Sequence, residues 1–189
     1  MKVRMDANEF KNIINNTKRF TGCNSNLMTY IRLEIDAERK YIKATALDGH
    51  RLSVEYARIE YADESFGCYI RPCIPKITKE TGYIELEVTG RKLLMQADDQ
   101  IMGYVQPEGE FYNTDKTIKS SLKSEPIATI GVNAKYLLDA LQSVKDPGSS
   151  RDIIKIDVRK KSEPLIIRSG GKSNIPENIK LILPVKLGE

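Results

Sequence analysis

A chain of 189 residues with 40% hydrophobic and 30% charged side chains can bury one large core or two small ones, which excludes a disordered polymer. No apolar run approaches the roughly 20 residues that span a bilayer, and the N-terminal MKVRMDANEF lacks the apolar centre of a signal peptide, so a cytoplasmic protein without a membrane partner is expected. The net charge of +4 is low for a protein that would coat nucleic acid through its own basic surface.

Met1 to Met5 alternates apolar and basic residues, as a half-buried strand does. Asp6 then caps a predicted helix with Glu9 three positions on, and Phe10, Ile13, Ile14 and Thr17 form its apolar stripe. Lys11, Asn15 and Lys18, with Arg19 beside them, make the opposite side basic and polar. Leu27 to Ile35 and Tyr41 to Leu47 read as neighbouring strands joined through the polar turn Asp36 to Lys40. Asp48-Gly49-His50 is a cluster of turn formers, and Arg51 to Ile59 is the strand that follows it. The order so far is strand, helix, three strands.

From Phe66 the pattern changes. Cys68 to Arg71 reads as a strand, but Pro72, Pro75 and Gly82 fall where a second helix would repeat the first unit, and an interior proline costs about 3 kcal/mol. Only a very short helix around Lys76 to Lys79 is allowed there. Tyr83 to Val88, Lys92 to Ala97 and Ile101 to Gln106 follow as strands, separated by turns at Gly90 and Asp98-Asp99. Pro107 to Lys123 is polar and aperiodic, a connector, and the domains are placed at 1–118 and 119–189. A second strand-helix unit begins at Ile127: Asn133 caps a helix with Tyr136, Leu137, Leu141 and Val144 inward, and Pro147-Gly148 stop it. Ile153 to Val158, Leu165 to Arg168 and Ile179 to Leu183 supply the last strands. The order of elements over Asp6 to Ile59 recurs over Asn133 to Leu187 without recurring identity, a weak internal duplication. The fold class is therefore α+β, built of antiparallel sheets.

Reactive chemistry is sparse. There is one histidine, no phosphate-binding glycine loop and no metal-type cluster, and Cys23, Cys68 and Cys73 are odd in number, so free thiols and no cofactor are expected. Asp98-Asp99 reads as a solvated turn pair. His50 is a general base only with a partner that the sequence does not offer, which favours a role in its own turn. The tail, LILPVKL over Leu181 to Leu187, is either a closing strand of the core or one side of a groove for another chain; Pro184 places it at a sheet edge.

The stretch ATALDGHRLSV over Ala44 to Val54 and this tail together resemble two signatures of the bacterial DNA sliding clamp, the beta subunit of the replicative polymerase. The match is Asp48, Gly49, His50, Arg51 and Leu52 for the corner, and Pro184, Val185, Lys186 and Leu187 for the tail; VNAKYLLDALQSV also resembles the family's last-domain helix. Leu47 stands where the family has threonine, Lys186 where it has arginine, and Gly188 and Glu189 follow the usual terminal leucine. Gly109-Glu110-Phe111-Tyr112 occupies the place of a Gly-x-Phe-Pro segment, without the proline. A chain of 189 residues is about half a family chain.

The resemblance implies strand-helix-three-strand units with helices on one face, and a non-catalytic processivity factor that tethers a polymerase. Met28, Leu47, Gly49, His50, Arg51 and Leu52 would form one wall of a peptide pocket. Leu181, Leu183, Pro184, Val185, Lys186 and Leu187 would form the other, with Lys116 on the rim. Lys11, Lys18, Arg19 and Lys135 would face DNA phosphates without reading sequence. A ring would need several copies joined head to tail. Two rival expectations are a clamp-derived module that binds such peptides without encircling DNA, and an enzyme on an α+β scaffold.

Overall fold

The computed structural model of the chain describes residues 1–23, 27–144, 153–169 and 178–186. Its contacts divide the chain into two compact units, Met1–Asn113 and Thr114–Glu189.

Unit 1 is a sandwich of two antiparallel sheets. The first sheet runs in the order β5-β1-β7-β8-β9, with β1 at Lys2–Asp6, β5 at Tyr61–Ala62, β7 at Tyr83–Thr89, β8 at Lys92–Ala97 and β9 at Gln100–Val105. The second runs β4-β3-β2-β6, with β2 at Ile31–Asp36, β3 at Tyr41–Leu47, β4 at Leu52–Arg58 and β6 at Phe66–Ile70. Alternate residues of both sheets enter one buried cluster: Val3, Met5, Ile84, Leu86, Leu93 and Met95 from the first, Ile31, Leu33, Ile42, Ala44 and Ile70 from the second. Period-two burial is the reason the strands were legible in sequence.

Helix α1, Ala7–Thr17, begins as expected: the Asp6 carboxylate accepts from the Glu9 N–H at 2.8 Å. Phe10, Ile13, Ile14 and Thr17 are all buried, and the helix packs on β4, β3, β1 and β7. No helix forms at Lys76 to Lys79. With Pro72 and Pro75 ahead of it, residues 71–82 run irregularly and are held by side chains instead. Lys11 Nζ donates to the Ile77 carbonyl at 2.8 Å, Gln100 Oε1 accepts from the Lys76 N–H at 2.9 Å, and Thr81 Oγ1 donates to Asp98 Oδ2 at 2.7 Å. Asp98 thus anchors the segment that replaces a helix, beyond its turn.

β3 is buried on both faces, which alternation alone does not anticipate. Its outer face carries Thr45 and Lys43, the latter paired with Glu34 at 3.2 Å, and on that side Phe111 lies over the neighbouring β2 and β6. The buried Phe111 ring packs 6.0 Å from Tyr69 and below the Arg32 guanidinium at 5.9 Å, and Arg32 sits opposite both Tyr69 and Thr45 in the sheet register.

Unit 2 is smaller. A helix, α2 at Thr114–Ser121, lies within the stretch expected to be a connector; only Thr114 of it is buried, so no apolar period marks it, although Asp115 and Lys119 at its ends match the helix dipole. β10, Gly131–Val132, pairs antiparallel with β14, Pro184–Val185. β11, Ile154–Asp157, β12, Leu165–Ser169, and β13, Asn178–Ile182, form a three-stranded sheet. α3, Ala134–Val144, is capped by Asn133, whose Oδ1 accepts from the Lys135 N–H at 2.9 Å. Its packed stripe is Leu137, Ala140 and Leu141 against Leu165, Ile167 and Ile182. Tyr136, expected inward, is 60% exposed: it lies about a quarter of a turn from the centre of that stripe, on the far side of Ala140. Leu27 to Tyr30, expected to start a strand, form a turn closed by the Tyr30 N–H donating to the Leu27 carbonyl at 3.1 Å. Pro147-Gly148 and Leu187 lie outside the described residues.

Candidate functional site

The corner between β3 and β4 is organised by one carboxylate. Asp48 Oδ1 accepts from the backbone N–H groups of His50 and Arg51, each at 2.9 Å. Its Oδ2 accepts from Arg51 Nε at 2.9 Å and Nη2 at 2.6 Å. Such a side-chain closure of a turn is what aspartate does best, and Gly49, at a φ of 90°, supplies the left-handed residue the bend requires. The Arg51 guanidinium also lies 5.4 Å over the Phe20 ring. Leu47 and Leu52 face each other across the corner as the last ladder pair. The His50 ring is exposed and has no hydrogen-bond partner among the described residues, as fits a surface residue of the turn.

The bidentate Arg51 contact, then the two backbone N–H groups, hold the Asp48 carboxyl down at about 2. A depressed acid contributes stability above its unfolded value of about 3.9 and loses it as pH falls through the folded one. Asp48→Asn is therefore expected to destabilise unit 1 at pH 6, with the difference from the parent chain shrinking between about pH 4 and pH 2. Denaturant melts across that range check it; a difference that does not change with pH contradicts the carboxylate's role.

Beside the corner is a cavity of about 460 Å³ lined by Leu27, Met28, Leu47, Phe111 and Tyr112, with Glu108 and Glu110. Met28 is held there because the Gly22 N–H donates to its carbonyl at 2.8 Å, and Gly22 has no side chain to keep Met28 and Asp48 away: a Cβ would lie 3.3 Å and 3.5 Å from them. So Met28 and Leu47, far apart in sequence, share one apolar wall. Glu108 pairs with Arg91 Nη1 at 2.5 Å, whereas Glu110 is exposed. Leu27, Glu108, Glu110, Phe111 and Tyr112 were not foreseen as lining residues. Leu27 falls in an expected strand and the other four in a stretch that reads as a polar connector, whose one signal is the adjacent aromatic pair.

The tail residues lie in unit 2. Pro184, Val185 and Lys186 line a second cavity, about 730 Å³, together with Thr129, Ile130, Gly131, Lys161 and Ser162. Leu181 and Leu183 are 63% and 72% exposed, and Val185 47%, so three apolar side chains at alternate positions stand outside the small core. The alternative that the tail merely closes that core holds for Ile182, which is buried, and not for these three.

Of the residues expected to face DNA, Lys11 is half-buried with its ammonium on the Ile77 carbonyl, and Lys18 donates to Asn15 Oδ1 at 2.7 Å. Arg19 and Lys135 are exposed, as is Lys116 on α2, which was expected at the pocket rim and lines neither cavity. Among the described residues no group of three or more His, Cys, Asp or Glu side chains could hold a metal ion. Burial pushes the Cys68 thiol up to about 12, while Cys23 and Cys73 are exposed free cysteines. No helix among the described residues is long and apolar enough to cross a membrane.

No protein-family model and no curated protein matches the sequence. Solved structures do. A protein assigned as a DNA polymerase III beta subunit in Eubacterium rectale matches with a TM-score of 0.81 at 18% identity, over 100% of this chain and 52% of that one. The DNA polymerase sliding clamp of Bacillus subtilis matches with 0.78 at 17% identity, over 97% and 49%. The Helicobacter pylori beta clamp, solved with a DNA ligase peptide, matches with 0.58 at 17% identity, over 89% and 48%. The chain has the α+β fold of bacterial sliding clamps and spans about half the length of the clamps it matches.

Proposed function

We propose that this chain is a shortened sliding-clamp protein, a processivity factor without a catalytic site of its own, which sits on or encircles DNA and tethers a replicative polymerase through a hydrophobic peptide. The observation that carries the reading is an ordered Asp48–Arg51 corner beside an apolar cavity, within a clamp fold. Met28, Leu47, Gly49, His50, Arg51 and Leu52 supply one part of the peptide site. The tail, Leu181, Leu183, Pro184, Val185, Lys186 and Leu187, supplies the other, and Lys116 stands at the rim. A peptide held this way keeps its enzyme at high effective concentration near the template, which is the whole of the catalytic benefit. Titrating a fluorescent peptide of the Gln-Leu-hydrophobic-Leu-Phe type tests it. Saturable binding at micromolar concentration is expected; no saturation up to millimolar concentration removes the site.

DNA contact would be through phosphates, from Lys18 and Arg19 next to α1, with Lys135 on α3 and Lys11 contributing charge. Lys18→Glu with Arg19→Glu is expected to weaken duplex binding equally for all sequences and to flatten the slope of log K against log salt by about 2. Filter binding across a salt series checks it, and an unchanged slope contradicts these contacts.

A second reading is favoured by the low net charge of +4: a clamp-derived module that captures polymerase-type peptides and never encloses DNA. Retention on circular against linear DNA separates the two. A ring of head-to-tail copies stays on a circle in high salt and slides off free ends, whereas the module leaves both alike.

A further inference from the structure

The stretch 106–112, which supplies much of the cavity beside the corner, is pinned at both ends. At one end the Gln106 side chain bonds the edge of β6: Nε2 donates to the Tyr69 carbonyl at 2.8 Å, and Oε1 accepts from the Tyr69 N–H at 2.7 Å. The Gln106 N–H also donates to the Arg91 carbonyl at 2.7 Å. At the other end the Phe111 side chain is buried. Between them Gly109 has a φ of 111°, and a Cβ there would lie 3.2 Å from Leu27 Cδ1, so glycine lets the stretch close on the cavity wall. Glu108 and Glu110, on either side of it, both join the lining.

The two carboxylates are not equivalent. Glu108 is neutralised by Arg91 Nη1, whereas Glu110 is exposed and has no hydrogen bond or ion pair among the described residues. The arginines that might have matched it are committed elsewhere. Arg51 is bidentate on Asp48, and Arg32 pairs with Glu34 at 3.2 Å. No lysine or arginine lines the cavity. Its apolar and aromatic walls therefore carry one uncompensated negative charge.

We propose that this cavity selects peptides in which a lysine or arginine adjoins the apolar anchor, and that Glu110 is the residue that reads it. The inference rests on the peptide reading of the corner and adds the charge that the partner must carry. A long basic side chain suits the place, because its apolar stem can lie along Leu27 or Tyr112 while its cation meets the carboxylate. An acidic residue there meets repulsion and no cation, so the carboxylate that attracts one class of partner rejects the other. The sign is informative. A chain of net charge +4 attracts acidic peptides at long range, so a preference for lysine has to be local.

Fluorescence anisotropy of the whole chain tests it with peptides of the Gln-Leu-hydrophobic-Leu-Phe type, made in pairs with lysine or glutamate directly before the Gln or directly after the Phe. In at least one pair the lysine peptide is expected to bind about fivefold tighter in dilute salt, from one rim ion pair gained and one like-charge contact avoided. That ratio should fall toward one at about 1 M salt, where the Debye length is about 3 Å. Glu110→Gln should remove the preference and Glu110→Lys reverse it. Glu38→Lys, the same change of charge on the exposed turn after β2, should leave it in place. Saturable binding with equal affinity within both pairs, or a lysine preference that survives Glu110→Lys, overturns selection by Glu110 while sparing the peptide site. So does a preference that Glu38→Lys abolishes as fully. No saturation by any of the peptides overturns the peptide site itself, and this inference with it.

Discussion

Replacing Phe10 with alanine is expected to lower the stability of unit 1 by about 3–5 kcal/mol, the range for emptying a fully buried aromatic site. Phe10 has no exposed surface and belongs to the cluster that α1 shares with both sheets. An isolated helix of 11 residues is marginal, so α1 owes its existence to this packing and has little stability of its own to absorb the loss. Eight of the nine tyrosines lie in unit 1, which makes tyrosine fluorescence in a denaturant melt a report on that unit. A loss below about 1 kcal/mol, typical of a surface substitution, contradicts the seating of α1 in the sandwich.

Leu183→Asp is expected to weaken peptide binding at least ~30-fold, the effect of removing a contact worth about 2 kcal/mol or more and placing a charge against apolar peptide. Leu183 is 72% exposed and outside the core of unit 2, so the same substitution should change stability by no more than about 0.5 kcal/mol. That separation of effects makes it the cleaner test. Deleting residues 183–189 should also abolish binding, but it takes away β14 and with it the pairing to β10. Unchanged affinity in both variants removes the tail from the site.

The parts of this fold that can be read in the sequence are those that local chemistry decides. Asp6 and Glu9 announce the start of α1, Phe10, Ile13, Ile14 and Thr17 its buried side, and the alternation through β7 and β8 their inward residues. The corner was legible because aspartate, glycine and arginine close such a turn among themselves. What long-range contact decides was not. Nothing near Phe111 tells that it lies over Arg32 and Tyr69 on the outer side of a sheet, or that Leu27 and Glu110 share a cavity with Leu47. α2 escaped because its buried residue is a single threonine, and Tyr136 was misplaced by one position on a helix whose stripe is narrow. Pro72 and Pro75 excluded a normal second helix, yet the anchors that hold its replacement, Lys11, Gln100 and Asp98, are scattered through three other elements and turns.

The proposal that one peptide uses both corner and tail is tested most directly by amide chemical-shift mapping on the isotope-labelled whole chain. As the peptide is added, the amides from Leu47 to Leu52 and those of Leu183, Val185 and Lys186 should shift together and saturate with a single apparent Kd. Shifts confined to one of the two segments, or two segments that saturate at different concentrations, contradict a common site.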